Sequence, residues 1–298
     1  MKCHGRIFGL LMSVCFIAVT AATAFAQTGK CAFQTLNFPT PPDSFPSAEA
    51  LTDTGAIVGT FLTPSRHESG YLLYQGKFTP FMFPGSTDTS AHDMSRTGTI
   101  VGEFNTGGNQ RPFMVRSGGF QQITIPGFPN VPGSAHGVND NGDIVGEFVA
   151  NSARFGFLLH NGKLTILSFP GAQGGTLPMS INDQGVVVGV YFSGPEETSR
   201  GFMWKNGVFS NLNPPAAGNG HTELTKISNA GDVVGDFISP VDHQFHGFSF
   251  HQGQFIIIDA PGFNQTSIFG VNKFDNIVGV GSNATSNIEL KGFCSAAF

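Results

Sequence analysis

The sequence is poor in charge. Only 12% of its 298 residues are Asp, Glu, Lys or Arg, and acidic residues outnumber basic ones by 20 to 15. A polyanionic partner requires a basic field, so nucleic acid is excluded as a partner. Intrinsic disorder needs high charge and low hydrophobicity, so the same shortage argues for a folded chain. Several motifs that announce a catalytic class are also missing: no Gly-x-Ser-x-Gly elbow, His-Glu-x-x-His pair, phosphate-binding loop or Cys-x-x-Cys is present. What the chain has instead is 40 Gly, 18 Pro and 31 Phe. The Gly and Pro are spread evenly, which reads as turn punctuation in an all-β chain and excludes a helical bundle.

Beyond the N-terminus no hydrophobic run is long enough to cross a bilayer. The first 26 residues stand apart: Lys2 and Arg6 precede an apolar stretch from Ile7 to Ala24, and Ala24-Phe25-Ala26 has the small-x-small form of a cleavage site before Gln27. This is the pattern of a secretory signal peptide, predicting a periplasmic or extracellular protein. A membrane anchor is the alternative, the apolar run lying near the ~18-residue lower bound for spanning. Cleavage leaves a net charge of −7 and removes Cys3 and Cys15. The surviving pair, Cys31 and Cys294, predicts one disulfide in an exported protein, and thus a fold that brings its two ends together.

Self-comparison yields a repeat. Gly55-Ala-Ile-Val-Gly59 recurs as Gly98-Thr-Ile-Val-Gly102, Gly142-Asp-Ile-Val-Gly146, Gly185-Val-Val-Val-Gly189 and Gly231-Asp-Val-Val-Gly235, with a sixth copy at Asn276-Ile-Val-Gly279. Successive second glycines are 43, 44, 43, 46 and 44 residues apart. Each copy is followed by a small residue and an aromatic (Gly70-Tyr71, Pro112-Phe113, Gly156-Phe157, Gly201-Phe202, Gly247-Phe248, Gly292-Phe293). Turns such as Gln75-Gly76 and Asn161-Gly162 come next, where Gly accepts the positive φ of a tight hairpin. A Phe- or Leu-led element then ends on Pro84, Pro126, Pro170, Pro215 or Pro261. Ahead of each Val-Gly element lies another strand, such as Ser134 to Asp140, ending in a two-residue turn.

Each repeat is therefore four short antiparallel strands, and six repeats predict a six-bladed β-propeller. The blades span about 47–84, 90–126, 134–170, 177–215, 223–261 and 267–298 with 31–39, in a single domain over 27–298. The last repeat lacks its fourth strand, and Phe33 to Pro39 has the missing Phe-to-Pro spacing. That N-terminal strand is expected to complete the C-terminal blade and close the ring. A Cys31–Cys294 disulfide would staple the seam, the two positions being near each other without standing directly opposite. It would contribute on the order of 4–5 kcal/mol by closing a loop of ~260 residues.

Segments such as Ile181-Asn-Asp-Gln-Gly-Val-Val-Val-Gly189, Arg200-Gly-Phe-Met-Trp-Lys-Asn-Gly207 and His246-Gly-Phe248 resemble the bacterial extracellular HAF repeat. The resemblance runs from Phe33 to Phe293, although Gly or Pro replaces the Ala of the His-Ala-Phe triplet and only His246 supplies its His. It implies an exported repeat protein without an assigned chemistry, and it transfers no catalytic residue.

Pairing the first and second strands through a two-residue turn sets His92 opposite Glu103, His136 opposite Glu147 and Thr225 opposite Asp236. Two adjacent blades with a His–Glu pair form the leading site candidate, able to ligate a divalent metal or move a proton. Arg111 and Arg154, at the start of third strands, could orient an anion, and His246 adds a further polar group. The competing interpretation is cross-strand polar pairing reproduced by duplication. Asp140-Asn-Gly-Asp143 has some oxygen spacing of a calcium loop but fits a hairpin turn better, and Trp204 sits where other repeats place core residues. No cofactor is expected apart from that metal. The function expected is a secreted, monomeric, non-catalytic recognition module for carbohydrate or another envelope ligand, with a metal-assisted hydrolase or lyase, or a structural envelope protein, as alternatives.

Overall fold

The computed structural model describes residues 27–28, 31–36, 38, 46–194, 198–283 and 286–294. It is an all-β propeller of four-stranded antiparallel blades. The first blade comprises Ser47–Leu51, Ile57–Leu62, Glu68–Tyr74 and Lys77–Phe81, paired in chain order. Three more follow the same order, beginning at Asp88–Met94, Gly133–Val138 and Thr176–Ile181. A further sheet pairs Gln265–Val271, Asn276–Asn283 and Ser286–Cys294 with the N-terminal strand Cys31–Thr35.

The expectation of six alike blades is corrected. Five sheets have four strands, whereas the sheet built on Thr222–Ile227, Val233–Ile238, Phe245–His251 and Gln254–Ile258 has a fifth, Gln27–Thr28, running parallel to its outer edge. The added strand covers edge amides that would otherwise be open to another chain. In the seam sheet Cys31 is the direct Cα partner of Cys294, not an offset neighbour. Their side chains lie outside the described residues.

Phenylalanine abundance has a packing cause. The repeated aromatic within the third strand is fully buried in five of the sheets: Tyr71, Phe113, Phe157, Phe202 and Phe248 are all 0% exposed. The core lies between neighbouring sheets. Val101 of the second sheet, for example, packs with Ala135, Phe148 and Phe157 of the third. Each such ring contributes about 1.5–3 kcal/mol by burial.

The two kinds of tight turn differ. At Gln75-Gly76, Asn161-Gly162, Asn206-Gly207 and Gln252-Gly253 both residues have positive φ, as the hairpin signal requires. The turn between first and second strands is longer than predicted. In the third sheet Val138 pairs with Ile144, and the Asn139 N–H donates to the Asp143 carbonyl, so Asp140, Asn141 and Gly142 form a three-residue loop with Gly142 at φ 83°. The sixth copy uses Asp275 at φ 58° where the others have Gly.

The Val-Gly motif also acquires a reason. Every first strand carries a β-bulge opposite the motif glycine, between Ala135 and Gly137 in the third sheet. A Cβ on Gly146 would stand 2.1 Å from the Ser134 carbonyl oxygen, and one on Gly102 would stand 1.9 Å from that of Ser90. The bulge and the glycine are one device, and it turns a single side chain of each first strand toward the centre.

Candidate functional site

The bulged residues are Glu49, His92, His136, Met179, Thr225 and Phe269, one per sheet. Together with Lys226 they line a cavity of about 60 Å³. This brings His92 and His136 together, with ring centroids 5.3 Å apart. The bulge and the longer turn correct the expected register. Ser90 faces Glu103, Ser134 faces Glu147 and Glu223 faces Asp236, so neither histidine nor Thr225 has the partner that a two-residue turn would give it.

The His–Glu contacts survive that shift unequally. His92 Nε2 lies 3.2 Å from Glu103 Oε2 and His136 Nε2 stands 4.0 Å from Glu147 Oε1, and neither nitrogen makes a hydrogen bond. Burial opposes charge on both members of the first pair, but their mutual attraction prevails: the Glu103 carboxyl falls to about 2 and the His92 imidazole rises. Burial and the cationic His92 hold His136 down at about 3. Burial raises Glu147 against the nearby Arg154. At neutral pH the cluster therefore contains an ionised Glu103 and a neutral His136, with the Glu103 charge favouring a proton on His92.

The arginines are committed elsewhere. Arg154 Nε forms an ion pair with Glu147 Oε2 at 2.9 Å and its guanidinium lies 5.6 Å from the Phe192 ring centroid. Arg111 Nη1 donates to the Val131 carbonyl at 2.7 Å. Two further candidates do not join the histidines. His246 bridges Asp242 and Asp259 at 3.1 and 2.9 Å, and Asp236 is buried beside Glu223. Among the described residues no three His, Cys, Asp or Glu side chains form a group able to hold a metal ion. Asp140 and Asp143 are likewise paired to protein groups, Asp140 with Arg96 and Asp143 with His160 at 2.5 Å each. Trp204 packs against a cluster including Val187 and Phe202.

Several charged groups escaped the sequence reading. Lys226 reaches across the channel to Asp93, whose carboxylate also accepts the Met94 and Val138 N–H groups at 2.8 and 2.9 Å. On the turn side, Arg96 bonds Asp140 and Asp183, the latter at 2.9 Å, and lies 3.8 Å from Asp53. Aligning repeats at this position sets Asp53, Arg96, Asp140, Asp183, Asn229 and Lys273 in one column, a mixture of signs that signals a ring of pairs.

Near the cluster a cleft of about 410 Å³ lies between the first and second sheets, on the face bearing the second-to-third-strand loops. Arg66, Glu68, Asp88, Glu103, Asn105 and Gln110 line it, with Phe104 as its aromatic. Ser90 donates to Glu68 Oε2 at 2.5 Å, and Asp88 accepts the Glu68 N–H and bonds His67. Asn105 Oδ1 is buried without a partner. Glu103 joins this cleft to the histidines. No helix among the described residues is long and apolar enough to cross a membrane.

No protein-family model matches the chain, and no curated protein matches it. Solved structures are similar in fold. TolB from Acinetobacter baumannii aligns with a TM-score of 0.52 at 10% identity over 80% of this chain and 63% of its own, so this chain spans less than two thirds of that protein. The β-propeller domain of the Trilobed protease from Pyrococcus furiosus, described as having an open velcro topology, gives 0.53 at 11% identity over 83% and 77%. A protein described as a gluconolactonase gives 0.54 at 10% identity over 90% and 94%. At these identities the likeness concerns the fold.

Proposed function

We propose that this chain is an exported, non-catalytic recognition module that binds saccharide in the cleft between its first and second sheets. The cleft carries this reading. Its volume of about 410 Å³ falls within the roughly 300–1,000 Å³ of small-ligand sites, and its lining is mostly polar hydrogen-bonding groups, with Phe104 and Leu62 as its apolar side chains, which suits a polyhydroxylated ligand. The buried charges nearby are already neutralised by protein partners, which favours binding over chemistry. A glycan array probed with the wild type and with an Asn105→Ala/Gln110→Ala variant tests the reading. Retention of defined glycans that falls at least about tenfold in the variant supports it. An empty array, or retention that the variant leaves unchanged, overturns it.

The same proposal includes a leader removed near Ala26, a HAF-type repeat and a ring of six blades closed at the N-terminal strand. Closure is supported by hydrogen bonds from Asn272 Nδ2 to the Thr52 carbonyl at 3.1 Å and from the Lys273 N–H to Asp53 Oδ1 at 3.0 Å, linking the last repeat to the first. A disulfide between the register partners Cys31 and Cys294 would lock that seam. Mass spectrometry of the unreduced exported protein is expected to find both cysteines in one linked peptide, with reduction costing on the order of 4 kcal/mol of stability. Free thiols at both positions would remove the staple.

A further inference from the structure

We propose that the ligand of this cleft is an amino sugar whose unmodified ammonium group is held by Glu68, Asp88 and Asn105. The inference rests on the saccharide reading and narrows it. The starting observation is an imbalance between acceptors and donors. Three carboxylates, from Glu68, Asp88 and Glu103, line the cleft against one guanidinium, that of Arg66. A neutral sugar hydroxyl can donate to these carboxylates but brings no charge to balance theirs. An ammonium group offers three donors and no acceptor, which matches it.

A separate observation points the same way. Asn105 Oδ1 is buried without a hydrogen-bond partner, and an orphaned buried acceptor is costly unless something donates to it. Asn105 lines the cleft together with the carboxylates, so a rotation of its side chain would present that oxygen to a donor entering there. The carboxylates retain acceptor capacity. Glu68 receives the Ser90 hydroxyl on Oε2, and the Asp88 contacts with the Glu68 N–H and His67 both use Oδ1. Glu103 is tied to His92, which places Glu68 and Asp88 as the principal counter-charges. Arg66 and Gln110 supply donors for ring hydroxyls on the same ligand.

Calorimetry with matched oligosaccharides of glucosamine and N-acetylglucosamine decides the matter, with spermidine as a third probe that has ammonium groups but no hydroxyls. The full-length mature protein is used at mildly acidic pH, where the sugar amine is protonated. The wild type is expected to bind the free-amine oligosaccharide about tenfold tighter than the acetylated one, the effect of one hydrogen bond between charged groups. Glu68→Gln and Asp88→Asn should each reduce that preference while retaining the wild-type melting transition, and added salt should reduce it too. Equal binding of the two oligosaccharides overturns the ammonium assignment and leaves the saccharide reading intact. Spermidine binding as tight as the amino sugar overturns the sugar part. Binding of none of the probes overturns the inference, and the saccharide reading is then decided by the glycan array alone.

Discussion

Replacing Asp93 with alanine is expected to lower stability by about 3–5 kcal/mol, the cost of leaving a buried ion-pair partner unmatched. Asp93 is 1% exposed and the Lys226 side chain 13%, and the two meet across the channel from the second and fifth repeats. Removing the carboxylate strands the ammonium group between two small cavities that Lys226 itself separates. It also frees the Met94 and Val138 N–H groups that the carboxylate accepts. Lys226→Met should cost less, because Asp93 would keep both backbone donors. The Asp93→Ala/Lys226→Met double variant should recover much of the loss, since no charge then remains unpaired. Chemical denaturation of the four proteins gives the cycle. An Asp93→Ala variant within about 0.5 kcal/mol of wild type would mean that Lys226 finds water instead of Asp93.

The repeat was legible because its cause is steric and local. The Val-Gly glycine, the aromatic at 0% exposure and the x-Gly turn recur wherever the backbone needs them, so the strands and their order follow from spacing. What spacing could not reveal is the bulge. The real loop at Asp140 to Gly142 shifts the register by one residue and the bulge at His136 by another, a total of two. A shift of two returns side chains to the same face. That is why His92 still reaches Glu103 although Ser90 is its direct partner, and why the candidate cluster was found for a partly mistaken reason. Pairs that cross between repeats were beyond reach. Asp93 and Lys226 are 133 residues apart, and only the arrangement of first strands around a common axis makes them neighbours. The fifth strand at Gln27–Thr28 escaped for a similar reason, since a two-residue pairing has no periodicity to detect. The cleft is lined near the ends of strands, at Glu68, Asp88 and Asn105, positions that carry no repeat signature, so these looked like ordinary solvated polar residues.

A substitution that stabilises is expected at Asp236. The sequence reading grouped it with the site candidates, but its surroundings make it a burden on the fold. It is 3% exposed, its Cα partner is Glu223, and Oδ1 has no hydrogen-bond partner. Burial, reinforced by the adjacent Glu223 charge, pushes its carboxyl up to about 8 despite a hydrogen bond with Ser267. Burial raises Glu223 as well. In the unfolded chain Asp236 loses its proton near the ordinary value of about 3.9. The folded state therefore keeps a proton that the unfolded state has released, and stability falls as pH rises between those two values. At pH 7 the deficit is on the order of 4 kcal/mol relative to acid conditions. Asp236→Asn removes the titration while preserving shape, so it should raise the melting temperature at neutral pH and have little effect at about pH 4. His136, held neutral at about 3, contributes the opposite slope, and for that reason the test is the difference between variant and wild type across pH, not the wild-type profile alone. A variant that is less stable than wild type at neutral pH, with a difference that does not change sign or size with pH, would show that the Asp236 carboxylate is ionised and held by a partner in the folded protein.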